Sequence, residues 1–117
     1  MTEDKELQAA RLAAGKTQAD VSGLLDISII TLSQWERGRR KPAPYVRAAL
    51  LKWYAAGCTM LRHCDDIRAA RQRMKLTQAD VTRKLGIPTR TLTKWETGAT
   101  KPAQYVLDLI SWRYQNL

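Results

Sequence analysis

Residues 7–54 and 67–114 of this 117-residue chain align without a gap, and 21 of the 48 paired positions are identical. Thr17-Gln18-Ala19-Asp20-Val21 returns as Thr77-Gln78-Ala79-Asp80-Val81, Trp35-Glu36 as Trp95-Glu96, and Lys41-Pro42-Ala43 as Lys101-Pro102-Ala103. Two long copies without an insertion mean one small folding unit duplicated and fused, because a solenoid stacks three or more shorter repeats. The expected organisation is a first domain over 1–56, a linker over 57–65 and a second domain over 66–117. A unit of about fifty residues is near the lower limit for a self-supporting core. Positions shared by the copies therefore report mainly the fold, and positions that differ carry the information about use.

Composition narrows the chemistry. Hydrophobic residues at 44% and charged residues at 26% are the balance of a folded domain rather than a disordered tail. The net charge is +9, with nine Lys/Arg against six Asp/Glu in residues 1–60 and eleven against five in residues 61–117. A basic surplus of this size draws a polyanion, and nucleic acid is the commonest one inside a cell. No run approaches the roughly 18 apolar residues of a membrane span. The start, Met1-Thr2-Glu3-Asp4-Lys5-Glu6, is acidic and polar, unlike a signal peptide. The expectation is a cytoplasmic protein of bacterial or phage type, associated with the nucleoid and not with a membrane. Cys58, His63 and Cys64 cluster between the copies, but neither cysteine recurs and the zinc-ligand spacing is absent. They read as linker residues, and no metal or other cofactor is expected. With His63 as the single histidine, no nucleophile–base pair and no Gly-rich phosphate loop, no enzyme is expected either.

Each copy reads as four or five short helices without a convincing strand, an all-α fold. A first helix from Lys5 to Ala14 carries Leu7, Ala10 and Ala14 on one face and stops at Gly15-Lys16. Thr17 followed by Asp20 is a capping-box start for a second helix that ends near Leu25, and Thr77 with Asp80 repeats it. Asp26-Ile27-Ser28 and Gly86-Ile87-Pro88 are tight turns. A third helix runs from Ser28 to Arg37 with Leu32 and Trp35 inward, and Gly38 and Gly98 suit left-handed helix ends. By the same spacing Trp95 is expected in the core. After a basic loop, a fourth helix over Pro44 to Ala55 buries Val46, Ala49, Leu50 and Trp53; Val106, Leu109, Ile110 and the Arg113 stem match it. The aromatic ends Trp53, Tyr54, Trp112 and Tyr114 suit the core of each unit, or packing between copies or between chains.

Two helices joined by a three- or four-residue turn, the second capped, on a basic domain form the helix-turn-helix pattern. Thr17-Gln18-Ala19-Asp20-Val21, then Ile27-Ser28, Trp35-Glu36-Arg37-Gly38 and Lys41-Pro42 together resemble the Cro/XRE type of lambda-repressor-like regulators. The resemblance covers 48 residues of each copy and occurs twice in register. It implies a five-helix all-α domain, present in tandem, whose third helix lies in the major groove of double-stranded DNA. Carried over by position, base reading falls to Ile29, Ile30, Ser33 and Gln34 in the first copy and to Thr89, Arg90, Thr93 and Lys94 in the second. Helical spacing agrees, since these positions flank the inward Leu32/Trp35 face. Gln18 and Gln78, at the start of the second helix, suit phosphate, as do the loops Arg39-Arg40-Lys41 and Thr100-Lys101. The resemblance further implies that Arg11 with Glu36, and Arg71 with Glu96, form partly buried salt bridges between helices.

The copies differ most at the reading positions. Arg90 suits guanine O6 and N7, Lys94 guanine or phosphate, and Thr89 or Thr93 a thymine methyl. Ile29 and Ile30 cannot hydrogen-bond a base edge, leaving Ser33 and Gln34 as the polar readers of the first copy. The function implied is a sequence-specific transcriptional regulator, a repressor or autoregulator, acting as a homodimer or as an intramolecular pseudo-dimer. The alternative is a module that binds a protein partner, in the manner of an antitoxin or antiactivator, with DNA binding secondary.

Overall fold

The computed structural model describes residues 3–117, which fold into eight helices. These are α1 (Lys5–Ala13), α2 (Gln18–Leu25), α3 (Ile29–Glu36) and α4 (Pro44–Ala55), then α5 (Ile67–Arg73), α6 (Gln78–Leu85), α7 (Thr89–Thr97) and α8 (Gln104–Gln115). The chain divides into two compact units, Met1–Met60 and Leu61–Leu117, with four helices each. That is one helix fewer than the five the resemblance implies. No strand is present among the described residues, and none of their helices is long and apolar enough to cross a membrane.

Local chemistry sets the helix ends. Thr17 Oγ1 accepts the Asp20 N–H at 3.0 Å while Asp20 Oδ2 accepts the Thr17 N–H at 2.9 Å, and Thr77 with Asp80 repeats both bonds. The bonds from threonine hold both aspartates below the usual carboxylate range. At the other end of α2 and α6, Asp26 and Gly86 take left-handed conformations at φ 55° and 76°, reversing the chain within three residues. Pro44 fits the first turn of α4, where its missing N–H would have had no helical acceptor.

In the first unit α1 packs on α4 and α3, and α2 packs on α3; α5, α8, α7 and α6 repeat the arrangement. Ile27 and Ile87 plug the two turns into the core, and Leu32 and Leu92 lie fully buried beneath the third helix of each unit. Trp53, Tyr54 and Tyr114 are buried and Trp112 is half-buried. Arg113, at the position matching Trp53, is buried with its Nε unpartnered, and burial lowers its affinity for the proton.

Two expectations need correction. Cys58 and Cys64, read as linker residues, are free thiols buried in the fold, and Met60 between them is exposed. Trp95 is half-exposed, whereas Trp35 is 7% exposed. The cause lies upstream of the first helix. The Asp4 N–H donates to the Glu36 carbonyl at 2.9 Å, and Arg47 holds the Asp4 carboxylate at 2.8 Å, laying this segment across the end of α3. At the matching position, the Cys64 N–H donates instead to Asp108 Oδ1 on α8 at 2.9 Å, and Gln104 grips the Cys64 carbonyl. Asp66 then caps α5 two residues later than Asp4 caps α1, relative to the repeat.

Gly23 sits mid-helix in α2, where a Cβ would meet nothing within 4 Å. Gly23→Ala is expected to stabilise the first unit by about 0.5–1 kcal/mol, through the reduced freedom of the unfolded chain. Thermal unfolding checks it, and an unchanged or lowered midpoint would count against a relaxed helical site.

Candidate nucleic-acid interface

The outward faces of α3 and α7 are carried on a clamp that is repeated to a tenth of an ångström. Arg11 Nε and Nη2 donate to Glu36 Oε2 and Oε1 at 2.8 and 2.9 Å, and Nη1 donates to the Lys16 carbonyl at 2.8 Å. Arg71 binds Glu96 and the Leu76 carbonyl at the same three distances. A planar fork meeting a carboxylate fixes angle as well as distance. The first helix of each unit is thereby tied to the third. Side-chain exposures of 7% and 4% for Arg11 and Glu36, and 11% and 4% for Arg71 and Glu96, place both pairs away from bulk water. Burial alone would raise the Glu96 carboxyl, but bonds from Arg71 and Gln78 outweigh it and hold the group below its ordinary value.

The glutamines join the same clamp. Gln18 Nε2 donates to Glu36 Oε1 at 3.2 Å, and Gln78 Nε2 to Glu96 Oε1 at 3.2 Å. Each glutamine thus locks the start of the second helix to the third, and its amide orientation is set. The signal for this was present in the sequence: two polar positions 18 residues apart, repeated without change. In the second unit Thr93 Oγ1 donates to Gln78 Oε1 at 3.4 Å, and the Thr89 and Thr82 hydroxyls lie 2.9 Å apart. Thr89 and Thr93 of α7 are therefore pinned to α6 by side-chain bonds. Thr89, Arg90, Thr93 and Lys94 are all exposed.

In the first unit Ile29 is 44% and Ile30 66% exposed, with Ser33 and Gln34 half-buried one turn on. Ser28 Oγ accepts the Ile30 N–H at 3.2 Å and fixes the start of α3. These four residues line one concavity of about 380 Å³ together with Gln18, Arg37 and Arg39. Arg37 was absent from the sequence expectation, although it follows Ser33 by four residues and so shares its face. Its partner position is Thr97, which is why the repeat did not mark it.

The remaining loop residues lie elsewhere. The Arg39 and Arg40 N–H groups both donate to the Gln34 carbonyl, at 2.9 and 3.3 Å, but of the two only Arg39 lines the α3 concavity. Arg40 and Lys41 line a separate cleft of about 370 Å³ with Trp35, Asp4 and Arg47. Thr100 and Lys101 line its counterpart, about 450 Å³, with Trp95, Asp66 and Leu107. On α6 the sequence reading also passed over Arg83 and Lys84, exposed where α2 has Gly23 and Leu24. No three His, Cys, Asp or Glu side chains among the described residues are grouped to hold a metal ion.

Comparison with known proteins gives two matches. A family model described as Helix-turn-helix domain matches residues 5–63, and one described as Helix-turn-helix matches residues 67–111. No curated protein and no solved structure matches the chain.

Proposed function

The chain belongs to the helix-turn-helix family of DNA-binding regulators through both of its units, and we propose that it represses transcription by reading double-stranded DNA in a sequence-specific manner. The observation that carries this reading is α7. It presents Arg90, Lys94 and two threonines outward from a helix clamped by Arg71 and Glu96 and pinned by Thr82 and Gln78. An arginine held on a rigid helix can give two parallel hydrogen bonds to guanine O6 and N7 in the major groove. Ile29, Ile30, Ser33 and Gln34 are the corresponding readers of α3. Arg39, Arg40, Lys41, Thr100 and Lys101, with Gln18 and Gln78 at the helix starts, fix position by contacting phosphate and sugar. One chain thus carries two unlike readers, and its operator is an asymmetric pair of half-sites rather than a palindrome. If both units engage one duplex face, the half-sites fall about 34 Å apart, one helical turn. The protein acts by occupancy, as a binding protein and not an enzyme.

The second reading, binding of a protein partner or of a second copy of the chain, would use the exposed Ile29 and Ile30.

Selection of bound duplexes from a random library, at one stated salt concentration and with the complex's stoichiometry recorded, tests the proposal. The expected result is an enriched motif with two unlike halves bound by a single chain. Enrichment of one half-site per chain would assign reading to α7 alone. Absence of any enriched sequence would overturn specific recognition and favour the partner-protein reading.

A further inference from the structure

The two units distribute charge in opposite ways around the same frame. In the second, the cations stand on the reading face itself, at Arg90 and Lys94, and at Arg83 and Lys84 beside it. The last residue of its helix, Thr97, and Ala99 just beyond it are uncharged. In the first, the reading face is neutral and the cations follow the helix, at Arg37 and Arg39, on the wall of the same concavity as Ile29 and Ile30. No carboxylate lines that concavity.

A neutral apolar pair walled by two arginines fits one kind of occupant better than another. A protein partner needs an apolar patch that forms the centre of an interface of roughly 1,000 Å² or more. Two isoleucines flanked by guanidinium groups do not supply that centre. The major groove does present small apolar groups between rows of phosphate: the C5-methyl of each thymine stands out from the base edge with the anionic backbone on either side.

We infer that the first unit reads its half-site through pyrimidine C5-methyl groups, with Ile29 and Ile30 seated on thymine methyls and Arg37 and Arg39 holding the flanking phosphates. This deepens the proposed function and rests on α3 entering the major groove. Gln34, a turn beyond Ile30, adds preference for adenine by accepting from N6 and donating to N7. The first half-site is accordingly a short A·T-rich element read by shape and methyl contact, and the second a guanine-containing element read by hydrogen bonds.

Uracil for thymine provides the test, because the exchange removes the methyl and leaves base pairing intact. The full chain is titrated with its selected duplex, with thymines replaced by deoxyuridine in each half separately. Loss of about fourfold in affinity per methyl is expected in the half bound by the first unit, the value of one buried apolar carbon, and any loss in the other half is expected only at a thymine beside Thr89 or Thr93. The Ile29→Ala, Ile30→Ala double variant is expected to bind thymine and uracil duplexes alike, whereas Arg90→Ala keeps the difference between them. Both isoleucines are exposed, so the double variant should retain its fold, which far-UV circular dichroism checks. Equal binding of thymine and uracil duplexes by the unaltered chain would overturn methyl reading while leaving DNA recognition standing. If that result came with a smaller sedimenting species for Ile29→Ser, Ile30→Ser, the patch would be a contact between chains. Failure to bind any duplex would overturn the proposed function itself, and methyl reading with it.

Discussion

Glu36→Ala is expected to destabilise the first unit by about 3–5 kcal/mol, the usual cost of stranding a buried charge by deleting its partner. The Arg11 guanidinium would lose both bonds to Glu36 and keep only the Lys16 carbonyl, in a site where the side chain is 7% exposed. Gln18 would lose its acceptor at the same time. A domain of this size commonly has only about 3–9 kcal/mol in total, so the unit would be near its unfolding midpoint or past it. Urea unfolding followed by tryptophan fluorescence measures the change, and a loss below about 1 kcal/mol would show that the pair is not a buried clamp. Replacing both partners by apolar residues, Arg11→Met with Glu36→Leu, should recover most of the loss, since an apolar pair leaves no charge to solvate. The matching pair also predicts the direction of pH dependence. The Glu96 carboxyl is depressed in the folded state, so its contribution is complete above the ordinary value of 4.5 and disappears as pH falls through the lower folded value. Acid should therefore destabilise the second unit, and Glu96→Gln should flatten that limb of the curve.

The largest effect on recognition is expected from Arg90→Ala. A bidentate contact to guanine is worth about 1–3 kcal/mol, so affinity for the selected duplex should fall roughly five- to 150-fold. The loss should concentrate at one base pair, where the variant would accept any base, and non-specific binding should change far less. Arg90 is exposed with no side-chain bond to the clamp, so stability should be nearly unchanged. Lys101→Ala is the informative contrast. If Lys101 meets only phosphate, its loss should weaken all sequences alike and reduce the slope of log affinity against log salt by about 0.9. A uniform loss in Arg90→Ala, without relaxed preference at any position, would reassign Arg90 from base reading to phosphate contact.

Several details separated what a linear pattern can carry from what packing adds. Helix ends were legible because their chemistry is local: Thr17 and Asp20, three residues apart, bond each other's backbone N–H groups whatever surrounds them. The turns at Ile27 and Ile87 were legible for the same reason. Arg37 was missed because the copies differ there, and its face becomes apparent only when Ser33, Gln34 and Arg39 are seen around one concavity. The loop cations looked like a single group in sequence, yet Arg39 lines the concavity of α3 while Arg40 and Lys41 line the cleft beside Trp35.

By itself, then, the sequence determined the number of units, their all-α character, the turn between second and third helices and the residues placed outward on the third. Each of these follows from spacing, capping or repetition within a few residues. Only the tertiary structure decided how Trp35 and Trp95, identical residues at matching positions, come to differ in exposure. The answer depends on where the preceding chain is anchored, at the Glu36 carbonyl in one unit and at Asp108 in the other. Those anchors are 32 and 44 residues away in sequence, beyond the reach of any local pattern, and hydrogen-bond geometry in the folded chain selects between them.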